Sequence, residues 1–350
     1  MKSILRYALP ILLLAFIIWD KLFPDLNEFG IALNYIMPFL SFSLLPYIFY
    51  FVLKRKWKTV FLALLTVILS IPFLQGVFSW TLFSENNPDF IKVLSYNTRV
   101  FNIYKHLSGN EDENIKGALS FGIEHPAQIK CFQEYFNAKD AEREYLRITK
   151  AFEDSSYFSH THAFLKNHVD HEFGLAIFSK FEIVDRGIVP ISSSRQTNGA
   201  IYADIKIRDN KVRVYNIHLE SLGEKFPSKL LEPKVFIAFW QSFTDRYQKR
   251  VIQIQEIVDH VQNSPYPVIL CGDLNDVPHA YSGRLLNQNL SSSFEKKGQG
   301  FGFTLNKDNL LFFRIDQQFF SEGLKIHDFK TLNHIKWSDH FPIEAEYSFK

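Results

Sequence analysis

The uneven distribution of apolar residues constrains the fold of this 350-residue chain most strongly. About two-thirds of residues 1–80 are apolar, against 47% for the whole chain, which leaves residues 81–350 with the composition of an ordinary soluble domain. The first 80 residues carry seven Lys or Arg and three Asp or Glu, a net charge of +4, so the chain's total of +2 leaves −2 for the rest. We expect a membrane region over 1–80, a linker over 81–90 and one globular domain over 91–350.

The composition also excludes several classes of protein. The large domain is not basic, and this excludes nucleic-acid binding that depends mainly on bulk positive charge. Aromatic residues make up 16% of the chain, far more than a disordered protein contains. Two cysteines are too few for a disulfide framework or a cysteine-based zinc site. We interpret Cys131 and Cys271, each inside a strand pattern, as small buried apolar residues that do not form a disulfide.

Three apolar stretches near the N-terminus are candidates for membrane spans. Ile31–Leu53 and Thr59–Phe78 both reach the roughly 20 residues that a helix needs to cross a bilayer core of about 30 Å. The shorter stretch Tyr7–Trp19 either spans with charged residues snorkelling at its ends or resembles the apolar part of a signal peptide. The alternative for all three is a buried helical core, which their uninterrupted apolar character and internal prolines disfavour.

A cationic loop predicts the orientation of these spans. Lys54–Lys58 places four cations between the two long stretches, and the positive-inside rule puts such a short loop in the cytoplasm. The chain after Phe78 then emerges on the extracytoplasmic side, tethered close to the bilayer. We therefore expect a multi-pass protein of the cell membrane whose domain lies outside; the alternative for the loop is a patch that binds polyanions.

The rest of the chain alternates between strand and helix patterns. Two alternating runs joined at Asp209 and Asn210 predict a hairpin, and apolar residues at spacings of three and four from Tyr247 to Val261 predict a long helix. Glu111–Glu124 predicts another helix. About ten strands mixed with a few helices indicate an α/β or α+β sandwich. The main predicted strands are Ile91–Asn97, Gln128–Glu134, Gly174–Ser179, Ala200–Arg208, Lys211–Leu219, Pro267–Gly272, Leu311–Ser321 and Ile343–Phe349.

Acids, amides and histidines follow or end these strands. Any one of them alone is most often a turn former or a cap. Together they form a set that a rigid scaffold can bring into one cleft. Oxygen ligands without cysteine suit Mg²⁺ or Mn²⁺, and such a metal beside histidines suits the cleavage of phosphate esters. The set comprises Asn97, Glu134, His218, Asp273, Asn275, Asp316, Asp339 and His340.

Seven motifs, in order and with their spacing, resemble the endonuclease/exonuclease/phosphatase superfamily. This superfamily includes deoxyribonucleases, apurinic-site endonucleases, neutral sphingomyelinases and inositol polyphosphate phosphatases. The resemblance covers residues 90–349 and implies a four-layer sandwich of two mixed β-sheets flanked by helices. Lys180 departs from the pattern at a peripheral position where the family commonly has Arg. The motifs are VLSYNTRVF, IKCFQE, GLAIFSK, YNIHLES, ILCGDLNDVP, FRIDQQFFS and WSDHFPIEAEY.

The resemblance implies a metal site as well. Glu134 would be the principal carboxylate ligand of Mg²⁺ or Mn²⁺. Asn97 beside it would hold the metal or the phosphate. Asp339 would be a second metal contact or a support for the site.

The resemblance further implies roles for the remaining residues. Asp273 would orient or deprotonate the attacking water, and Asn275 would bind the scissile phosphate. His218 and His340 would donate to the phosphoryl oxygens, one of them as acid to the leaving group. Asp316 matches the acid that orients the last histidine. The identity of the general base stays open between Asp273 and His340.

Other signals in the sequence carry less weight. Gly298, Gly300 and Gly302 precede an aromatic stretch and do not join a strand to a helix, which argues against a dinucleotide site. His160 and His162 could ligate a metal, but we favour a loop that lines the cleft. The chain contains no Gly-x-Ser-x-Gly, so an α/β-hydrolase is excluded.

These observations predict a membrane-anchored, Mg²⁺- or Mn²⁺-dependent phosphoesterase in which water attacks phosphorus in line. Hydrolysis of nucleic acid is the leading expectation, because it is the commoner role for the superfamily. The short tether favours the alternative, a phospholipid or another small phosphoester. A non-catalytic, membrane-tethered binding module is the third possibility. The expected partners are the phosphate ester and the lipid bilayer, and nothing implies a protein partner.

Overall fold

The computed structural model describes residues 2–22, 28–81, 90–103, 111–192, 198–221, 232–306 and 313–350. Short 3₁₀ turns cover Arg99–Asn102 and Glu144–Leu146. The helices are α1 Lys2–Leu22, α2 Glu28–Leu53, α3 Trp57–Leu69, α4 Ile71–Gln75, α5 Glu111–Glu124, α6 Ile148–Asp154, α7 Pro233–Gln262, α8 Tyr281–Asn289 and α9 Ser293–Lys297.

The strands build two large sheets and one short ribbon. The strands are β1 Phe78–Trp80, β2 Ile91–Asn97, β3 Ile129–Ala138, β4 Phe158–Lys166, β5 His171–Ser179, β6 Ile183–Ile188, β7 Gly199–Ile207, β8 Asn210–His218, β9 Val268–Asp273, β10 Ser291–Ser292, β11 Gln299–Phe301, β12 Asp316–Phe320, β13 Leu324–Thr331 and β14 Ile343–Phe349.

Two six-stranded mixed sheets form the centre of the domain. The first has the order β13-β14-β2-β3-β5-β4, and the second has the order β10-β12-β9-β8-β7-β6. The pairs β2–β3 and β8–β9 are parallel, and the other pairs are antiparallel. The inner faces of both sheets share one apolar core that includes Val93, Ile177, Val214 and Ile269.

Helices cover the outer faces of both sheets. Residues of α5 and α6 pack on the first sheet around Phe132 and Phe178, and residues of α7 and α8 pack on the second around Ile217 and Leu270. The result is a four-layer sandwich of helices, sheet, sheet and helices. This confirms the fold expected from the sequence.

The N-terminal helices α1–α3 pack against one another. Leu13, Met37, Leu44 and Ala63 are buried in their shared core. The outer surface of these helices is also apolar: Phe61, for example, is 70% exposed. One helix among the described residues, Asn34–Leu53, is long and apolar enough to cross a membrane by length and composition, and the apolar helix Trp57–Leu69 is shorter.

The structure corrects the prediction of one continuous span over Thr59–Phe78. Helix α3 ends at Leu69, a separate short helix begins at Ile71, and the chain enters strand β1 at Phe78. Pro72 lies in the first turn of α4, where its missing N–H is tolerated, whereas the interior of a helix would lose a hydrogen bond there.

Several predicted boundaries also shift. The stretch Tyr7–Trp19 lies inside the longer helix α1, and the long helix predicted from Tyr247 begins at Pro233. Strand β12 starts at Asp316, well after the predicted start at Leu311, which lies outside the described residues. Strand β1 lies at the end of the predicted membrane region, just before the predicted linker, but it pairs with β11 of the domain. Residues 82–89 of that linker lie outside the described residues.

The N-terminal helices dock on the domain at the loop that follows β9. Arg284 forms an ion pair with Asp20 at 2.7 Å, and the imidazole of His279 bonds to the carbonyl oxygen of Asn34. Because β9 ends at Asp273, this docking surface adjoins the edge of the second sheet where the predicted site residues lie.

Candidate active site

Three adjacent strands of the second sheet bring predicted site residues to the same level. His218 ends β8, Asp273 ends the parallel strand β9, and Asp316 begins the antiparallel strand β12. His218 pairs with Asp273 in the β8–β9 register, and Asp316 pairs with Asp273 in the β12–β9 register. The strand pairing therefore places these side chains next to one another without any long loop.

The first sheet contributes Asn97 and Glu134. Asn97 ends β2, while Glu134 lies within β3 at an irregularity where the pairing with β5 shifts between Phe132 and Tyr135. Glu134 has a φ of +45°, which is rare for a residue with a side chain. A bulge of this kind re-aims a side chain. The Asn97 amide donates to Glu134 Oε1 at 3.2 Å and to Asp273 Oδ2 at 2.9 Å, so it joins both sheets.

Asp273 lies at the centre of this arrangement. Its Oδ2 is 3.6 Å from His218 Nε2 and 3.9 Å from His340 Nε2, and its Oδ1 accepts the backbone N–H of Asn275 at 2.8 Å. The Asp273 residue is 1% exposed. A buried carboxylate surrounded by donors can orient a water molecule and accept its proton.

Asp316 holds the second histidine. His340 Nδ1 lies 2.8 Å from Asp316 Oδ2, and the hydroxyl of Thr304 accepts the backbone N–H of Asp316 at 3.1 Å. Burial alone would lower the pKa of His340, but the carboxylates of Asp316 and Asp273 outweigh it and raise that pKa to about 10. A protonated imidazole held in this way can donate to a phosphoryl or leaving-group oxygen.

Two predicted site residues have partners of their own. Asn275 has a φ of +50°, and its side-chain amide donates to the carbonyl oxygen of Leu219 at 2.9 Å. Asp339 Oδ2 forms an ion pair with Arg99 Nη1 at 2.7 Å. Arg99 is the first of four consecutive residues with positive φ that directly follow Thr98. No pattern in the sequence predicts this turn. The metal role of Asp339 stays a prediction.

A buried amide pair beneath the site was not predicted. Gln133 Nε2 donates to Asn216 Oδ1 at 2.6 Å and to Ser95 Oγ at 3.1 Å, and Asn216 Nδ2 donates to the carbonyl oxygen of Phe132 at 2.9 Å. These bonds join the two sheets next to Glu134 and His218. A signal existed, because Asn216 lies two residues before His218 in the same strand and thus on the same face.

The residues around Glu134 fit a hard divalent cation. The Glu134 side chain is 33% exposed, so its carboxylate is accessible to an ion from the cleft. Carboxylate oxygens of Glu134 and Asp273 are both bound by Asn97, and no sulfur atom takes part in these bonds. Such oxygen donors are those that Mg²⁺ and Mn²⁺ prefer. The donor chemistry of the described residues therefore agrees with the expected metal.

A second cluster of possible ligands lies nearby. Ligand atoms of Asp273, Asp316 and His340 all fall within 4.8 Å of one another. The His340 nitrogen that faces Asp316 is already occupied by a hydrogen bond, and the carboxylates of Asp316 and Asp273 raise the pKa of this imidazole. This cluster is better suited to handling protons.

The structure also decides two minor predictions. His160 and His162 lie on strand β4 and not in a loop, so that prediction was wrong; His160 Nε2 is 3.1 Å from the carbonyl oxygen of Gly187. The segment Phe158–Lys166 pairs with β5 along most of its length, which makes it a strand. Cys131 and Cys271 are buried free thiols, as predicted.

The chain is similar to known proteins in both sequence and fold. The sequence model described as the endonuclease/exonuclease/phosphatase family matches residues 94–340, well over half of the chain. No curated protein sequence matches the chain. Among solved structures, the human nocturnin catalytic domain with bound sulfate is 17% identical with a TM-score of 0.55, covering 75% of this chain and 94% of that one.

Two further solved structures are similar. An endonuclease/exonuclease/phosphatase from Bacteroides vulgatus is 14% identical with a TM-score of 0.56, covering 75% of this chain and 99% of that one. D. rerio TDP2 in complex with a single-strand DNA product is 15% identical with a TM-score of 0.53, covering 74% of this chain and 99% of that one. At such identities the similarity concerns the fold.

Proposed function

Because the chain belongs to the endonuclease/exonuclease/phosphatase family, whose members hydrolyse phosphoesters, we propose that it is a divalent-metal-dependent hydrolase of phosphodiester bonds, with nuclease-type activity as the leading candidate. The observation that carries this proposal is the position of Asp273. One of its oxygens accepts the amide of Asn97 and lies within 4 Å of two imidazoles, those of His218 and His340. Such an arrangement can orient a water molecule for attack on a phosphate ester and supply donors to the phosphoryl oxygens.

The metal in this proposal is Mg²⁺ or Mn²⁺. Glu134 would hold it, with Asn97 beside it and Asp339 as a second contact or support. When bound, the ion would neutralise charge on the phosphoryl oxygens and lower the pKa of a bound water.

The chain's own residues divide the remaining work. Asp273 orients the attacking water and accepts its proton, and Asp316 keeps the His340 ring oriented at 2.8 Å. His340 and His218 donate to the phosphoryl oxygens, and one of them protonates the leaving group. Asn275 binds the phosphate through its amide nitrogen, whose second N–H can donate to the phosphate while the first stays bonded to the carbonyl oxygen of Leu219. Between the two candidates for the general base, we favour Asp273, because His340 is held as a donor by Asp316.

We also propose that the N-terminal helices anchor the chain in the cell membrane with the domain on the extracytoplasmic side. The exposed apolar surface of α1–α3 supports the anchor, since these side chains gain from contact with lipid. Asn34 contacts the domain near one end of α2, and Lys54–Lys58 follows the other end. The cationic loop therefore lies away from the domain, as the positive-inside rule requires for this orientation.

One observation favours a lipid or other small phosphoester as the second candidate substrate. The N-terminal helices dock beside the loop that carries Asn275, so the catalytic edge of the domain adjoins the predicted anchor. A substrate held in the bilayer would have a short path to such a site.

The test is a panel of substrates offered to the purified full-length chain. DNA, RNA, phospholipid vesicles and bis(p-nitrophenyl) phosphate are each assayed with Mg²⁺ and again with excess EDTA. We expect metal-dependent hydrolysis of at least one phosphodiester, and the preferred substrate distinguishes nuclease from lipid hydrolase. Failure on all four substrates would support the non-catalytic binding module instead.

A further inference from the structure

We propose that Tyr35 of the N-terminal helix α2 is a positioning residue for the loop that carries Asn275. The proposal rests on the function proposed above, and it deepens it by making the anchor part of the active-site framework. The bonds run from Tyr35 through Asp276 and Arg250 to the backbone of Asn275.

The contacts of Tyr35 are specific. Its hydroxyl donates to Asp276 Oδ1 at 2.7 Å and accepts from Arg250 Nη1 at 3.4 Å. Arg250 Nη1 is 3.3 Å from the same Asp276 oxygen and also donates to the backbone carbonyl oxygen of Asn275. The Tyr35 hydroxyl thus bonds to both members of a buried ion pair, and Arg250 of that pair also binds the Asn275 backbone.

The Asn275 loop needs such support. Asn275 adopts a φ of +50°, a left-handed conformation that Asn tolerates better than most residues with a side chain but that Gly adopts more readily still. Asp276 ties the loop down further, because it accepts the hydroxyl of Ser282 at 2.8 Å and its backbone oxygen accepts the Gln317 amide at 3.2 Å. A conformation of this kind persists when its surroundings enforce it.

The hydrogen bonds of the Tyr35 hydroxyl matter to Arg250 and Asp276 because these two charged side chains are buried. The side chains of Arg250 and Asp276 are both fully buried. Two nitrogens of Arg250, Nε and Nη2, have no hydrogen-bond partner among the described residues. Buried charges depend strongly on each remaining bond, so removal of the Tyr35 oxygen would loosen the pair and the carbonyl that it holds.

The docking of the helices does not depend on this hydroxyl alone. The Tyr35 ring packs edge-on against Phe243 and Phe313, and the ion pair of Asp20 with Arg284 lies elsewhere on the docking surface. Tyr35→Phe therefore removes the hydroxyl while it keeps the ring and the docked helices in place.

The experiment compares Tyr35→Phe with Tyr47→Phe in the full-length chain. Tyr47 lies three turns further along the same helix, and its hydroxyl donates to the carbonyl oxygen of Arg6, away from the domain. Three quantities are measured: hydrogen exchange of the backbone amides over residues 273–280, kcat and KM on bis(p-nitrophenyl) phosphate with Mg²⁺, and the melting temperature.

We expect Tyr35→Phe to speed exchange over residues 273–280 and to lower kcat about tenfold with KM nearly unchanged, because a small displacement of a reacting group slows the chemical step. Tyr47→Phe should change neither. A lower melting temperature for Tyr35→Phe with unchanged kcat and exchange would show a merely structural tyrosine and overturn the proposal.

The exchange measurement separates this proposal from the proposed function. If the wild-type chain hydrolyses no substrate, the proposed function fails, and exchange over residues 273–280 alone decides the role of Tyr35. If the wild type is active and both variants behave alike, the Tyr35 proposal fails while the function stands.

Discussion

The N-terminal helices and the sandwich domain place their apolar side chains in opposite ways. In the domain the apolar residues fill the space between the sheets and beneath the helices, and Val93, Ile177 and Ile269 are fully buried. In the helical region, large apolar side chains such as Phe61 and Phe49 cover the outer surface. The hydrophobic effect rewards the first arrangement in water and the second only in lipid or against a partner. The two regions are thus suited to different surroundings, although polar bonds join them.

The largest predicted effect on catalysis comes from a substitution in the domain, and it tests whether the two regions have separate roles. Glu134→Gln keeps the shape of the side chain but removes the charge of the predicted metal carboxylate. We expect kcat to fall by about 10³-fold, as for the loss of an essential electrostatic contact, while the fraction of protein in membranes stays constant. Activity and membrane fractionation measure the two quantities. A fall in both would mean that the two regions do not have separate roles.

A slightly smaller effect is expected at the histidine. Asp316→Asn removes one of the carboxylates that together raise the pKa of His340 to about 10 against the effect of burial, so the imidazole should lose its proton more readily in the variant. We expect kcat to fall by about 10²-fold near pH 7 and to fall further as the pH rises. The reason is that the protonated imidazole, which is the proton donor, becomes less populated at higher pH. A pH–rate profile checks this. A profile parallel to that of the wild type would contradict the role of the pair.

A substitution at the junction between the two regions is expected to lower the free energy of unfolding more than it lowers the catalytic rate. Arg250→Met leaves Asp276 buried without its cation, so we expect the free energy of unfolding to fall by about 3–5 kcal/mol. Denaturant unfolding of the purified chain measures this loss. Arg246→Met on the same helix, whose guanidinium is bound to the carbonyl oxygen of Ser221 at 3.3 Å, is the control and should lose much less.

The smallest effect on catalysis is expected from the cationic loop. Replacing Lys54 and Lys56 with Gln weakens the positive-inside signal, so we expect a fraction of the molecules to reverse their orientation while kcat per folded molecule is unchanged. An alkaline phosphatase fused after Lys350 reports the side on which the domain lies. An inactive fusion in the unaltered chain would place the domain inside and contradict the proposed location.

Much of the domain is predictable because its strands carry local signals. The runs ending in Asn97, His218 and Asp273 are apolar segments closed by polar residues, and the structure has these strands within one residue of the predicted ends. The superfamily resemblance supplied the arrangement of the two sheets, which no local pattern contains. The site residues of both sheets do converge, as the contacts of Asn97 with Glu134 and Asp273 show.

What escaped prediction depends on backbone geometry and distant contacts. The bulge at Glu134 and the left-handed conformations of Asn275 and Arg99 are not marked by a glycine in the sequence. The bond between Tyr35 and Asp276 joins residues 241 positions apart, in regions that composition alone separates. The break after Leu69 was missed because the apolar composition continues through Pro72. The composition of a segment indicates whether it suits lipid or water, but it does not indicate where its helices end.

The most direct test of the central claim is the rate of phosphodiester hydrolysis by Asp273→Asn in the full-length chain with Mg²⁺. Asp209→Asn is the matched control, because Asp209 is an exposed residue in the turn before β8, at the end of that strand opposite His218. We predict that Asp273→Asn lowers kcat by about 10³-fold or more while Asp209→Asn keeps the wild-type rate. Equal rates for the two variants would contradict the assignment of this site.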